Sequence, residues 1–363
     1  MRIFGRKGLV LLMAAVLLIG AVLPMIAQDQ QIYIPVISKG FQHQFWQAVK
    51  LGAEQAAKQY NVQITFEGPP TEADIQPQVQ MLVNAMAKNP SAICLAALDT
   101  NSVMDQLNEA IQRHIPIIGF DSGVPNAPKG AIYATAATNS KNAAALAADK
   151  MFAAIKDKIA AASNAHPVTI IDFNQDATSQ SVTYRGMGFR DEMVKLITTQ
   201  TKHPVTDIKV TGNPAYTNGQ PNKGKAIIID VVVPPTPKDV DLTNAAQSIL
   251  NRVKSDNVLG VFCSNEGAIR GVLSASNDGS ALPTQYPGLV VVGFDAGKAQ
   301  KAAIRNKYIF GSITQDPVRI GFLAVELAVK AIKGQPVQDV DTGAKFYDAS
   351  NMDQPEFGPL LYD

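Results

Sequence analysis

The chain has 363 residues, 32 basic and 31 acidic, a formal net charge of +1 and 46% hydrophobic residues. That balance leaves no electrostatic footprint for nucleic acid or an anionic membrane surface, and the length suits two domains with cores of their own. The four histidines, His43, His114, His166 and His203, have no metal-ligand spacing, so neither a metal site nor a cofactor is expected.

The N-terminus carries Arg2, Arg6 and Lys7, then an apolar stretch from Gly8 to Pro24, then Met25-Ile26-Ala27 before polar Gln28. This order predicts a secretory signal over residues 1–27 with cleavage after Ala27; the alternative is an uncleaved membrane anchor. Its removal takes the formal charge from +1 to −2. No cysteine follows the cleavage region to accept a lipid, so the expected location is exported, periplasmic or cell-surface.

Six apolar, β-branched-rich runs then follow, each ending on a polar residue: IYIPVIS at Ser38, AICLAALD at Asp99, IPIIGFD at Asp121, VTIIDFN at Asn174, LGVFCSN at Asn265 and LVVVGFD at Asp295. Short continuous apolar runs of this kind predict strands buried on both faces of a parallel sheet. Cys94 and Cys263 lie inside two of them and are expected to be small apolar residues in separate lobes, with no disulfide between them.

Between the runs, FWQAVKLGAEQAAKQY, QVQMLVNAMA, SVMDQLNEAIQ, KNAAALAADKMFAAI, TNAAQSILNRV and GFLAVELAVKAI repeat apolar residues at helical spacing. Strands alternating with helices predict right-handed β-α-β crossovers and an α/β fold of doubly wound parallel sheets. Asp99-Thr100-Asn101-Ser102 and Thr138-Asn139-Ser140 supply N-cap candidates, and Asp99 is expected to cap rather than bind. The stretch from Thr198 to Asp241 breaks the rhythm with Pro204, Gly212, Pro214, Gly219, Pro221 and Gly224. It predicts a surface excursion, a hairpin, whose Lys223 and Lys225 are solvated.

Ligands of parallel sheets bind outside the carboxyl ends of the strands, so the polar strand-end residues are the candidate site. The first strand-to-helix turn, Ser38-Lys39-Gly40-Phe41-Gln42-His43-Gln44, holds a single glycine and no phosphate-binding loop. No nucleophile elbow or HExxH helix occurs either, so the residues give no support to an enzyme. A ring of strand-end carboxylates and amides instead suits a sugar or polyol, whose hydroxyls donate to Asp and accept from Asn, Gln, Lys or Arg. Its C–H faces pack on aromatic rings, and Phe45-Trp46 supplies such a platform.

The runs VISKGFQHQFWQAVKLGAEQAAKQYNV, FEGPPTEADIQPQVQMLVNAM, IPIIGFDS, VFCSNEGAIRGVL, VVVGFDAG and GSITQDPVRIGFLAVELAVKAIKGQPV, in this order, resemble the ribose-binding-type (type I) periplasmic sugar-binding proteins of ABC importers. The resemblance runs from about Gln31 to the C-terminal region. It implies two similar lobes, 28–136 with 316–343 and 137–315 with 344–363, joined by a three-strand hinge. Phe45 and Trp46 match the aromatic pair that sandwiches the sugar, and Asp121 matches a strand-end acceptor. Asn265, Asp295 and Gln315 match polar ligand residues of the second lobe, while Ser38 and Lys39 fall in the first strand-end loop.

The chain departs from that pattern where Asp121-Ser122 replaces Asp-Arg and where Thr183 replaces an arginine. Two guanidinium donors are therefore expected to be missing, with Lys39 as a substitute cation. Ser122 and Thr183 remain candidate contacts, and Asp172, Asn174 and Gln175 extend the expected polar rim. The implied function is a monomeric receptor that passes a sugar or polyol to an importer permease, without nucleic acid or catalysis. The alternative is a sensory receptor of the same fold binding a sugar or furanosyl quorum signal for a chemoreceptor or sensor kinase.

Overall fold

The predicted apolar runs become the central strands of two parallel sheets, in a computed structural model that describes residues 31–41 and 43–362. The signal-like segment and Gln42 lie outside the described residues. The first sheet is built from β1 (Tyr33–Ile37), α1 (Gln44–Tyr60), β2 (Gln63–Glu67), α2 (Ile75–Ala87), β3 (Ile93–Leu95), α3 (Met104–Gln112), β4 (Ile117–Phe120) and β5 (Ile132–Ala137). The chain then passes to the second sheet through α4 (Ser140–Ala160), β6 (Val168–Phe173), α5 (Gln180–Gln200), β7 (Ile208–Gly212), α6 (Pro214–Thr217) and β8 (Ile227–Val232). It continues with α7 (Asp239–Asn251), β9 (Val258–Cys263), α8 (Glu266–Ala275), α9 (Leu282–Gln285), β10 (Val290–Phe294), α10 (Lys298–Arg305) and β11 (Gly311–Thr314). It returns to the first lobe as α11 (Pro317–Ile332) and β12 (Val340–Asp341), then crosses once more to β13 (Lys345–Tyr347).

The first sheet has six strands in the order β12-β5-β4-β3-β1-β2, and the second has seven in the order β13-β11-β10-β9-β6-β8-β7. Apart from antiparallel β11–β13, the ladders pair in parallel, with Ile37 beside Leu95, Leu95 beside Gly119 and Val292 beside Phe262. In each lobe one strand has its successors on both sides, β1 between β2 and β3, and β6 between β8 and β9. That reversal opens a crevice at the carboxyl ends. The first and last crossings run side by side, with Thr138 Oγ1 3.2 Å from Thr342 Oγ1.

Helix α11 is fixed back on the first lobe by close packing against α1. A Cβ added at Gly52 would sit 1.8 Å from the Val318 carbonyl oxygen, and one at Gly321 would sit 1.9 Å from that of Val49. Only glycine permits this approach, because a backbone neighbour cannot swing aside. Separate clusters fill the faces of the sheets, for example Ile37, Leu95, Leu107 and Ile117 in the first lobe and Ile170, Phe189, Phe262 and Phe294 in the second.

The segment 198–241 differs from the expected surface hairpin. It forms β7 as a parallel edge strand beside β8, and only the loop after it folds back, with Val210 N–H donating to the Pro221 carbonyl at 2.7 Å. Ile208 and Val210 of this strand are buried, whereas Lys223 and Lys225 are exposed. Buried apolar residues at alternate positions make this a strand in spite of its flanking Pro and Gly. Cys94 and Cys263 are buried free thiols, one in each lobe.

Candidate functional site

Strands β4 and β10 hold equivalent places in the two sheets and end on the same three residues, Gly119-Phe120-Asp121 and Gly293-Phe294-Asp295. Both aspartates adopt left-handed backbone, φ +54° and +76°. For a residue other than glycine that conformation costs on the order of 1 kcal/mol, although Asp tolerates it better than most. The Phe side chains go into the cores while both carboxylates line a narrow void of about 20 Å³ between the lobes.

Arg185, from α5, spans the pair. Its Nη2 is 3.9 Å from Asp121, its Nη1 is 3.7 Å from Asp295, and Nη1 also donates to the Ser264 carbonyl at 3.1 Å. The guanidinium carbon sits 3.9 Å from the centre of the Phe294 ring. Asp295 is held further by Gln315, whose Nε2 donates to Oδ1 at 2.6 Å, and by Glu266 N–H, which donates to Oδ2 at 3.1 Å. Asn265 Oδ1 caps α8 by accepting from Ala268 N–H at 3.0 Å. It lines the void as well, so its capping and lining roles coexist.

Phe45 and Trp46 make the lining partly aromatic. Trp46 stands edge-on to Phe45, ring centres 5.0 Å apart at 85°, and both are buried. The indole Nε1 donates to Glu72 Oε1 at 2.8 Å. Glu72 also receives Gln175 Nε2 at 2.8 Å from the second lobe, and lies 3.4 Å from Lys39 Nζ. Lys39 and Gln175 follow equivalent strands, β1 and β6, so the two lobes meet on one carboxylate. Further links include Thr100 N–H to the Thr178 carbonyl at 3.2 Å, Gly123 N–H to Gln180 Oε1 at 3.1 Å and Lys298 N–H to Gln44 Oε1 at 2.7 Å.

Burial and charge set the protonation of this ring. Burial pushes the Asp121 carboxyl up to about 6, assisted by Asp295 and Glu72 and opposed by Lys39 and Arg185. Burial acts on Glu72 in the same direction, but Lys39, His43 and the bonds from Trp46 and Gln175 outweigh it and bring that carboxyl down to about 2. For Lys39 the burial that would lower its pKa is outweighed by Glu72, Asp176 and Asp121, so its value is raised and it stays charged. Glu266 is raised, chiefly by burial.

Of the residues expected at the site, Lys39, Phe45, Trp46, Asp121, Asn265, Asp295 and Gln315 come together around this void. Ser38, Ser122, Asp172, Asn174 and Thr183 do not line it. Ser38 Oγ is directed at the Gly40 and Glu67 carbonyls, and Ser122 Oγ accepts from Ser181 N–H at 3.3 Å. Thr183 Oγ1 bonds back to the Ser179 carbonyl of its own helix at 2.8 Å. Asp172 and Asn174 bond each other beneath the site, Nδ2 to Oδ1 at 2.7 Å, and Asn174 packs where any side chain on Gly186 would have to go. Gln175 reaches the rim through Glu72. Asp99 accepts from Asn101 and Ser102 N–H, both at 2.8 Å, and orders the turn before α3 without being the residue at its N-cap.

Positions 122 and 183 carry no guanidinium, but Arg185, two positions beyond Thr183 and not expected at the site, places one between the two aspartates. Glu72, His43, Ser181, Val182 and Glu266 line the void as well and were not singled out from the sequence. For Glu266 the signal was its place directly after Asn265. For Glu72 there was none beyond lying in a segment that carried the family resemblance. A more open depression elsewhere is lined mainly by apolar and aromatic residues, Leu282, Tyr286, Ile304, Tyr308 and Phe310, with Lys307 and Asp348 at it as well.

Two doubly wound lobes whose strand ends meet over an aromatic wall and a ring of charges define a solute-binding receptor of the type I α/β fold. The chain belongs to the periplasmic binding protein domain family, which it matches over residues 34–336. It is 23% identical over 317 residues to the D-allose-binding periplasmic protein of Escherichia coli (strain K12), covering 86% of this chain and 88% of that protein. To the ribose import binding protein RbsB of Bacillus subtilis (strain 168) it is 21% identical over 300 residues, 81% of this chain and 79% of that one. Among solved structures it resembles an ABC transporter, LacI family transcriptional regulator from Brachyspira murdochii, with 41% identity, TM-score 0.76 and coverage of 92% of this chain and 99% of that chain. It also resembles a carbohydrate transporter solute binding protein from Agrobacterium radiobacter in complex with D-arabinose, with 25% identity, TM-score 0.72 and the same coverage.

Proposed function

We propose that the protein is an exported receptor that closes its lobes on a monosaccharide or related polyol and delivers it to the permease of an ABC importer. The observation that carries this reading is the set of Trp46, Asp121, Arg185 and Asp295 converging from both lobes on one buried void. Apolar rings and bonded charges lining one void complement the C–H face and hydroxyl edge of a sugar. The D-allose and ribose proteins among its relatives, and the D-arabinose-bound structure, support the same class of ligand.

Closure works as a population shift: only when the lobes meet can Asp121 and Asp295 reach one ligand, so ligand favours the closed form by its differential affinity. The moving bodies are residues 28–136 with 316–343 and residues 137–315 with 344–363. The contacts proposed are Lys39, Phe45, Trp46, Asp121, Arg185, Asn265, Glu266, Asp295 and Gln315. The receptor acts as a monomer, without catalysis or nucleic acid, after removal of residues 1–27. Among the described residues no helix is long and apolar enough to cross a membrane.

A thermal-shift screen of pentoses, hexoses and polyols tests this. A ligand at one hundred times its Kd stabilises the native state by about 2.7 kcal/mol, which at this size raises the melting temperature by several degrees. No shift from any member would refute sugar capture.

A further inference from the structure

The charges lining the void do not balance. Four carboxylates, Glu72, Asp121, Glu266 and Asp295, face two permanent cations, Lys39 and Arg185, all almost wholly buried. Lys39 is committed to Glu72 at 3.4 Å. Arg185 serves both aspartates at 3.7 and 3.9 Å, beyond hydrogen-bonding reach of either. His43 lies 3.8 Å from Glu72, 4.0 Å from Glu266 and 3.4 Å from Arg270, which itself pairs with Asp239 at 2.6 Å. Even with His43 protonated, carboxylates outnumber cations by one.

The hydrogen-bond inventory leans the same way. Glu266 Oε2 and Gln315 Oε1 are buried acceptors with no donor, against one undirected donor, Arg185 Nε. A buried carboxylate lacking a cation is costly, and so is an acceptor lacking a donor. Burial raises the carboxyls of Asp121 and Glu266, and the neighbouring carboxylate Asp295 adds to both shifts.

We infer that the ligand of this cleft is cationic, an amino sugar or aminopolyol whose ammonium group lies beside Glu266 Oε2 and Gln315 Oε1, within the field of Asp121 and Asp295. The inference rests on the reading of the void as a sugar site and narrows it. An ammonium supplies both the missing charge and up to three donors, whereas a neutral hydroxyl supplies one donor and no charge. The aromatic wall keeps its role against the C–H face of the same ligand.

The test is calorimetric titration of the purified protein at pH 7 with paired probes: glucosamine, galactosamine and mannosamine, each beside its parent hexose and its N-acetyl derivative, and 1-amino-1-deoxy-sorbitol beside sorbitol. At least one amine is expected to bind at least tenfold more tightly than its neutral counterparts. Glu266→Gln is expected to lower that ratio at least fivefold, and Asp121→Asn, the second variant should the first not fold, is expected to lower it likewise. If neutral members bind as tightly as every amine, or if the ratio survives both substitutions, the cationic ligand is overturned while sugar capture stands. If neither amines nor neutral members bind, both readings fall.

Discussion

Asp172 offers a quantitative test of which strand-end carboxylates belong to the site. Its carboxyl is completely buried, has Asn174 as its only side-chain donor among the described residues, and is pushed up from its ordinary value of 3.8 to about 8, first by burial and only partly countered by that bond and by Arg190. A carboxyl raised on folding binds more protons in the native than in the unfolded state, so stability falls as pH rises from about 4 towards 8. At about 1.36 kcal/mol per pH unit, the cost at pH 7 is on the order of 4 kcal/mol. Asp172→Asn mimics the protonated form and removes that dependence. Urea unfolding at pH 5, 7 and 8.5 is expected to show the variant gaining on the parent by a few kcal/mol between the first and last conditions. Its ligand affinity should be unchanged, because Asp172 does not line the void. Parallel pH profiles for the two proteins, or a variant less stable than its parent at pH 8.5, would refute the reasoning; a tenfold loss of affinity would return Asp172 to the site.

Asp295→Ala removes the acceptor shared by Gln315 and Glu266 N–H, and Asp121→Ala its counterpart across the void. Either variant is expected to abolish the sugar-induced thermal shift while the unliganded protein still melts cooperatively. Gly321→Ala drives a methyl group into the Val49 carbonyl, where no side chain can yield. It should cost about 3 kcal/mol or more, read as a lower urea midpoint, and near-neutral stability would show that α1 and α11 can separate cheaply. Gln175→Ala deletes a direct bond between the lobes at Glu72. Small-angle scattering of the unliganded variant should show a larger radius of gyration than the parent, whereas an unchanged radius would mean that this bond does not hold the lobes together.

What the sequence revealed depended on whether a role was written in one local pattern. The repeated Gly-Phe-Asp ending of β4 and β10 marked both aspartates, because a buried parallel strand shows up as an apolar run and its end as the first polar residue. Asp172 and Asn174 end such a run too. Yet they lie beneath α5, where Gly186 lets the helix pack directly on Asn174, and no local pattern encodes that approach. Arg185 carries no signal of its own, because the family pattern has its arginine at the position of Thr183, whose hydroxyl here turns back to its own helix. Glu72 sits in an irregular turn and gains a role only when Trp46, Lys39 and Gln175 converge on it from three other places in the chain. Strand β7 was hidden by the prolines and glycines around it, while its buried Ile208 and Val210 carry the alternation that makes it a strand.

The central claim is tested most directly by a crystal structure with the tightest ligand from the screens. That ligand is expected between the Phe45–Trp46 pair and Arg185, with polar groups of one molecule within hydrogen-bonding distance of both Asp121 and Asp295. A ligand seated in the open depression near Tyr308, or one touching a single lobe, would contradict it.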